Sequence, residues 1–177
     1  MLSNLSVSFV VPCFNEGLNI NHTINEILSS IKNLKIKSYE IIIIDDGSTD
    51  NTYLVVKEIQ KTNLNIIIQK HKKNVGYGGA IKAGFKLATK KYVMWIPGDN
   101  SHQGKEITKI IEKLNSYDIV TTYYTNTSKR NFLRRTFTRL YNPFLNFIFG
   151  LKLPYYNGLT IYKTDVLKKI DIETDSF

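Results

Sequence analysis

A chain of 177 residues, 42% hydrophobic and 22% charged, has ordinary globular composition and suffices for one sizeable core. Its net charge of +9 implies an anionic partner: nucleic acid, an acidic membrane surface or a phosphorylated small molecule. The single cysteine, Cys13, excludes an internal disulfide, and no apolar run approaches the roughly 18 residues of a membrane-spanning helix. No secretory leader is expected from the first residues, so the sequons at Asn4, Asn21 and Asn126 read as chance matches.

In chain order, Val7–Val11 reads as a strand buried on both faces, followed by Leu18, Ile20, Ile24, Ile27, Leu28, Ile31 and Leu34 at helical spacing. Tyr39–Ile44 is a second buried strand, Thr52–Gln60 a short helix and Leu64–Ile68 a third strand. Gly79–Ala88 is a small-residue helix, Tyr92–Ile96 a fourth strand, Lys105–Leu114 a helix and Ile119–Thr122 a strand. Phe132–Phe149 mixes arginines with aromatics, and Pro143 is expected to break or kink it. That segment suits either packing on the sheet or lying in a membrane interface. Thr160–Tyr162 is a final strand and Thr164–Lys169 begins a helix.

Apolar strands separated by helices predict an α/β fold: a mostly parallel central sheet covered by helices on both faces. Such sheets bind ligands outside the carboxyl ends of their strands. All four of those places carry unusual chemistry. After the first strand stands Pro12-Cys13-Phe14-Asn15-Glu16, where Glu16 can accept from a base or a sugar hydroxyl. After the second stands Asp45-Asp46-Gly47-Ser48-Thr49-Asp50. Paired carboxylates there are costly unless they bind something, although one of them can merely cap the next helix. After the third comes Lys70-His71-Lys72-Lys73-Asn74-Val75-Gly76-Tyr77-Gly78-Gly79. Its glycines free N–H groups for phosphate at a helix start, and its lysines add positive charge. A dinucleotide fingerprint does not fit, because Ile81 occupies the third glycine position and the loop follows the third strand. After the fourth comes Pro97-Gly98-Asp99-Asn100-Ser101-His102: either a tight turn or, through Asp99 with Asn100 or His102, a site for Mg²⁺ or Mn²⁺ on a diphosphate.

These residues resemble family 2 glycosyltransferases, and within them the polyprenyl-phosphate sugar transferases similar to dolichol-phosphate mannose synthase. The motifs are V-V-P-C-F-N-E-G at Val10–Gly17, I-I-I-I-D-D-G-S-T-D at Ile41–Asp50, N-V-G-Y-G-G-A at Asn74–Ala80 and W-I-P-G-D-N-S-H at Trp95–His102. The resemblance implies a Rossmann-like nucleotide-sugar-binding fold of the glycosyltransferase A type. Residues 1–125 would form the donor core and 126–177 an acceptor-side, membrane-interfacial region of the same domain. Pro12, Asn15, Glu16 and Asp46 would contact base and ribose with Asp45 beside them, Gly76 and Gly78 would line the pocket, and Lys73 would face the diphosphate. Asp99 would be the metal-binding and catalytic acid, with Pro97 where the family's Asp-x-Asp carries its first acid.

Arg134 and Thr138, four apart, are similar to the pair that holds the acceptor phosphate, with Arg134 also catalytic. Asn157 and Gly158 match the family's sugar-side segment loosely, with Thr160 where an arginine is expected. The implied reaction is metal-dependent (Mg²⁺ or Mn²⁺), inverting transfer from a UDP- or GDP-sugar to a polyprenyl phosphate, at the cytoplasmic face of a membrane. A lipid phosphate needs cations and no general base, and Lys129, Arg130, Arg134, Arg135 and Arg139 supply them. Transfer to a saccharide hydroxyl in cell-surface polysaccharide synthesis and an inactive nucleotide-sugar-binding domain stay open. Nucleic acid is set aside, because carboxylates occupy the strand ends. Family members continue past a segment like Ile172–Phe177, so a short or truncated form is expected.

Overall fold

A computed structural model describes residues 5–123, 132–156 and 158–173. The chain divides into two compact units, Met1–Val120 with Ile161–Phe177, and Thr121–Thr160. The elements are β1 (Ser6–Cys13), α1 (Ile20–Asn33), β2 (Ser38–Asp45), α2 (Thr52–Thr62), β3 (Ile66–Lys70), α3 (Tyr77–Leu87) and β4 (Tyr92–Trp95). Then come α4 (Gly104–Glu112), a 3₁₀ turn (Lys113–Ser116), β5 (Ile119–Thr121), α5 (Phe132–Phe149), β6 (Thr160–Lys163) and α6 (Thr164–Leu167).

The sheet order is β3-β2-β1-β4-β6-β5. β1 runs parallel to both β2 and β4, β2 parallel to β3, and β6 antiparallel to β4. Ile41–Ile44 are completely buried, which explains why β2 reads as an unbroken β-branched run: each side chain meets a covered face. Val10, Ile42 and Ile44 form one core cluster with Ala80, Ala88, Val93 and Leu167, so α3 lies on that face. Alternation places Phe9, Ile41 and Ile43 on the other, where Ile20, Ile24 and Ile27 of α1 and Ile107 and Ile111 of α4 are also buried. The chain steps outward from β1 to β3, then returns through α3 to β4 on the far side of β1. The strand order therefore reverses between β1 and β4, the crevice where open α/β sheets hold their ligands.

Three features depart from the sequence expectations. β3 begins at Ile66, because the Asn63 side chain accepts the Asn65 N–H in a turn that leaves Leu64 exposed. α3 begins at Tyr77, immediately after Gly76 takes a positive φ of 93° that favours glycine. α5 continues through Pro143, whose ring removes one intrahelical hydrogen bond without ending the helix. Close packing of α3 yields a stability prediction. A Cβ on Gly84 would stand 2.1 Å from Val10 Cγ1, so Gly84→Ala should cost about 1–3 kcal/mol. The urea midpoint measures this, and Val10→Ala in the same chain should recover part of the loss.

Candidate functional site

A cleft of 280 Å³ opens at the reversal point, lined by Pro12 and Cys13 at the end of β1, Phe14 and Glu16 after it, Asp46 after β2, and Asn74, Tyr77 and Ala80 around the start of α3. Pro97, Gly98 and Asp99 after β4 complete the wall. The loops are bound to one another. Asn15, at φ 57°, donates its backbone N–H to Ser48 Oγ (2.9 Å), and its Oδ1 accepts the Thr49 N–H (2.9 Å). The Glu16 N–H meets Thr52 Oγ1 at 2.8 Å and the Gly17 N–H meets Asp50 Oδ2 at 3.0 Å. On the other side, Gly98 donates to the Pro12 carbonyl, while Thr23 Oγ1 donates to the Gly98 carbonyl and accepts the Asn100 N–H. This lattice fixes the rim of the cleft before any ligand arrives.

The adjacent acids have separate surroundings. Asp45 is completely buried: Oδ1 accepts the Ser48 N–H at 2.8 Å, and Oδ2, without a hydrogen bond among the described residues, lies 3.6 Å from Lys70 Nζ. Asp46 faces the cleft. Its Oδ1 meets His71 Nδ1 at 2.7 Å and the Val75 N–H at 3.0 Å, and its Oδ2 accepts the Gly76 N–H at 2.9 Å. An ionised carboxylate offers about four acceptor positions, so the protein fills three and leaves room for one donor from a ligand. Burial first, then the carboxylates of Asp45, Glu16, Asp50 and Asp46, pushes the Cys13 thiol far up. Cys13 should therefore resist alkylation at mildly alkaline pH in the folded protein and react once denaturant unfolds it; mass spectrometry checks this.

Across the cleft, Tyr77 packs edge-on against Trp95, ring centroids 5.8 Å apart. Burial, then the negative charge of Asp99, raises the Tyr77 phenol above its ordinary range and keeps it protonated. Asp99 is exposed, and its Oδ1 accepts the Ser101 N–H at 3.0 Å. His102 is engaged by Glu106 at 3.2 Å. Among the described residues no group of three or more His, Cys, Asp or Glu can hold a metal ion. An exposed carboxylate with one oxygen uncommitted among the described residues still fits a hard divalent cation that takes its other ligands from phosphates and water.

Of the residues singled out in the sequence, Pro12, Glu16, Asp46 and Asp99 line this cleft. Asn15, Lys73 and Gly76 stand in the adjoining loops, Asp45 at the end of β2 and Gly78 in the first turn of α3, without lining it. Cys13, Phe14, Asn74, Ala80 and Gly98 line it without having been singled out, and His71 holds Asp46 from behind. Position after a strand end was the available signal for most of them. Arg134 and Thr138 fall on α5 in the second unit, with side chains outside the described residues; Asn157 also lies outside them. In that unit, Asn142 and Asn146 bind the returning segment through the Pro154 and Leu153 carbonyls. Tyr141, Phe144, Phe147 and Ile148 are exposed.

The sequence profile of glycosyl transferase family 2 matches residues 8–171. The chain belongs to glycosyl transferase family 2. Among its family 2 relatives, a dolichyl-phosphate beta-glucosyltransferase of Dictyostelium discoideum is 36% identical over 116 residues, 62% of this chain and 35% of that protein. A dodecaprenyl-phosphate galacturonate synthase of Rhizobium johnstonii is 26% identical over 175 residues, 97% of this chain and 52% of that protein. The chain thus spans about half or less of these relatives' length. The family 2 fold agrees with a solved mannosyltransferase of Pyrobaculum calidifontis in complex with GDP-Man and Mn²⁺: TM-score 0.66, 17% identity, covering 92% of this chain and 46% of that one. That likeness supports the glycosyltransferase A type of α/β fold expected from the sequence.

Proposed function

We propose that the cleft binds a nucleoside-diphosphate sugar and that the protein transfers the sugar, with inversion, to a polyprenyl phosphate. The observation that carries this reading is the meeting of Glu16, Asp46, the start of α3 and Asp99 around one cleft at the strand reversal. Pro12 and Glu16 border the base and ribose, and the remaining acceptor position of Asp46 takes one donor from the nucleoside. Asn15 and Asp45 support them from the adjoining loops. The first turn of α3, at Gly78 just after Gly76 and with Lys73 nearby, carries the diphosphate, because its N–H groups lack intrahelical partners and its end has positive potential, the Gly76 N–H itself being held by Asp46 and Asn74. Asp99 would hold Mg²⁺ or Mn²⁺ against the diphosphate, and that ion would neutralise the charge gathering on the leaving group.

In the reaction an acceptor phosphate oxygen forms a bond to the anomeric carbon as the bond to the nucleoside diphosphate breaks. The electron pair leaves with the diphosphate. An ionised phosphate attacks without a general base, so it asks only for cations. From Ile119 to Thr164 the chain has no acid and seven cations, Arg134 among them. Arg134 and Thr138 are assigned to that phosphate. The exposed aromatic stripe of α5 is assigned to the membrane interface that a polyprenyl acceptor requires, although no helix among the described residues is long and apolar enough to cross a membrane.

Transfer from labelled UDP- and GDP-sugars to polyprenyl phosphate, with free polyprenol and an oligosaccharide as comparison acceptors, tests the acceptor. Product with the phosphate alone supports it; product only with saccharide hydroxyls contradicts it. For the membrane contact, Phe147→Asp is expected to reduce co-sedimentation with anionic vesicles by about tenfold, from the lost apolar burial. Unchanged binding would contradict it.

A further inference from the structure

We infer that His71 is a positioning residue of the donor site, acting through Asp46 to set the backbone N–H groups of Val75 and Gly76 where α3 begins. The inference rests on the donor-site reading above. His71 is fixed at two points: its backbone N–H donates to the Asp45 carbonyl at 2.8 Å, and its Nδ1 meets Asp46 Oδ1 at 2.7 Å. The His71 side chain is 16% exposed and that of Asp46 4%, so water competes weakly for this bond. An ionised carboxylate only accepts, so the proton of the shared bond sits on Nδ1.

The same Oδ1 also accepts the Val75 N–H, while Oδ2 accepts the Gly76 N–H. Asp46 thereby joins the end of β2 to the turn before α3, and His71 sets the rotation of its carboxylate. Without that bond the carboxylate plane is held only through the turn it is meant to hold. Its free acceptor position would then no longer be aimed at the cleft, and the Val75–Gly76 amides would loosen with it. Lys70 reinforces the arrangement from the preceding position by donating to the Ser48 carbonyl at 2.9 Å.

The test compares His71→Leu, which keeps volume without a donor, with His71→Asn, whose side-chain N–H₂ lies close to where Nδ1 stands. Both are measured in the full chain. His71→Leu is expected to weaken nucleotide-sugar binding about tenfold, the scale of one hydrogen bond to a charged acceptor, raising donor KM more than it lowers kcat. His71→Asn should recover most of that loss. In amide NMR spectra of the ligand-free protein, the Val75 and Gly76 signals should shift in His71→Leu and return toward their original positions in His71→Asn. Donor binding by His71→Leu equal to the parent, or equal loss in both variants, overturns the inference while the donor reading stands. Absence of nucleotide-sugar binding in the parent chain overturns the donor reading and the inference together. Should His71→Leu fail to fold, His71→Gln replaces it: its amide reaches toward the Nε2 position, so it should not rescue, and rescue by it overturns the inference.

Discussion

Asp99→Asn is expected to lower the rate of sugar transfer by about two to three orders of magnitude, the usual effect of removing one preorganised electrostatic group from a leaving-group site. Asp99 is the one carboxylate of the Pro97–Asp99 segment. The segment itself is held by Gly98, whose added Cβ would come 2.7 Å from Cys13 Cβ, and by the Thr23 hydroxyl. Removing the charge therefore leaves the scaffold in place and isolates its electrostatic contribution. Folding should be unchanged within about 0.5 kcal/mol, since Asp99 is exposed and its amide analogue still accepts from Ser101. Steady-state kinetics across a range of Mn²⁺ concentrations separates the effects: lost metal response with a normal melting curve is the expected pattern.

Asp46→Ala is expected to act on stability and donor binding at once. It strips an acceptor from His71 Nδ1 and from the Val75 N–H, whereas the Gly76 N–H keeps Asn74 Oδ1 at 2.9 Å. Removing one side of a largely buried, hydrogen-bonded cluster should cost about 2–4 kcal/mol. Chemical denaturation reads that cost, and calorimetry should show nucleotide-sugar affinity falling by at least about tenfold. Asp46→Asn makes the informative contrast, because its amide retains one acceptor oxygen but brings an N–H₂ toward groups that already donate. It should therefore recover less than its size suggests.

How far the sequence reached follows from the range of the interactions involved. The strands were legible because Val7–Val11 and Ile41–Ile44 need apolar side chains on both faces, a local pattern. The cleft was legible because a parallel sheet exposes its ligand-binding edge after each strand, where Glu16, the Asp45–Asp46 pair and Asp99 stand, and the family resemblance then singled out Asp46 and Asp99. What stayed hidden depends on partners far apart in the chain. His71 lies 25 positions from Asp46, and Asn15 about 34 from the Thr49 N–H it accepts, and nothing local marks either bond. The antiparallel return of β6 beside β4 is likewise set by tertiary pairing, since Thr160–Lys163 carries no directional signal of its own. At Pro143 the local rule allowed a break or a kink, and the helix of 18 residues runs on through it, so a break is the part that does not occur.

The central claim is that the cleft around Asp46 and Asp99 is a metal-assisted nucleotide-sugar site. Its most direct test is calorimetric titration of UDP-, GDP-, CDP- and dTDP-sugars into the full chain, with and without Mn²⁺, repeated on Asp99→Ala. One donor should bind with an affinity that Mn²⁺ raises, and Asp99→Ala should abolish that increase while leaving the metal-free affinity in place. Absence of binding by every donor, or a Mn²⁺ effect undiminished in Asp99→Ala, would contradict the account.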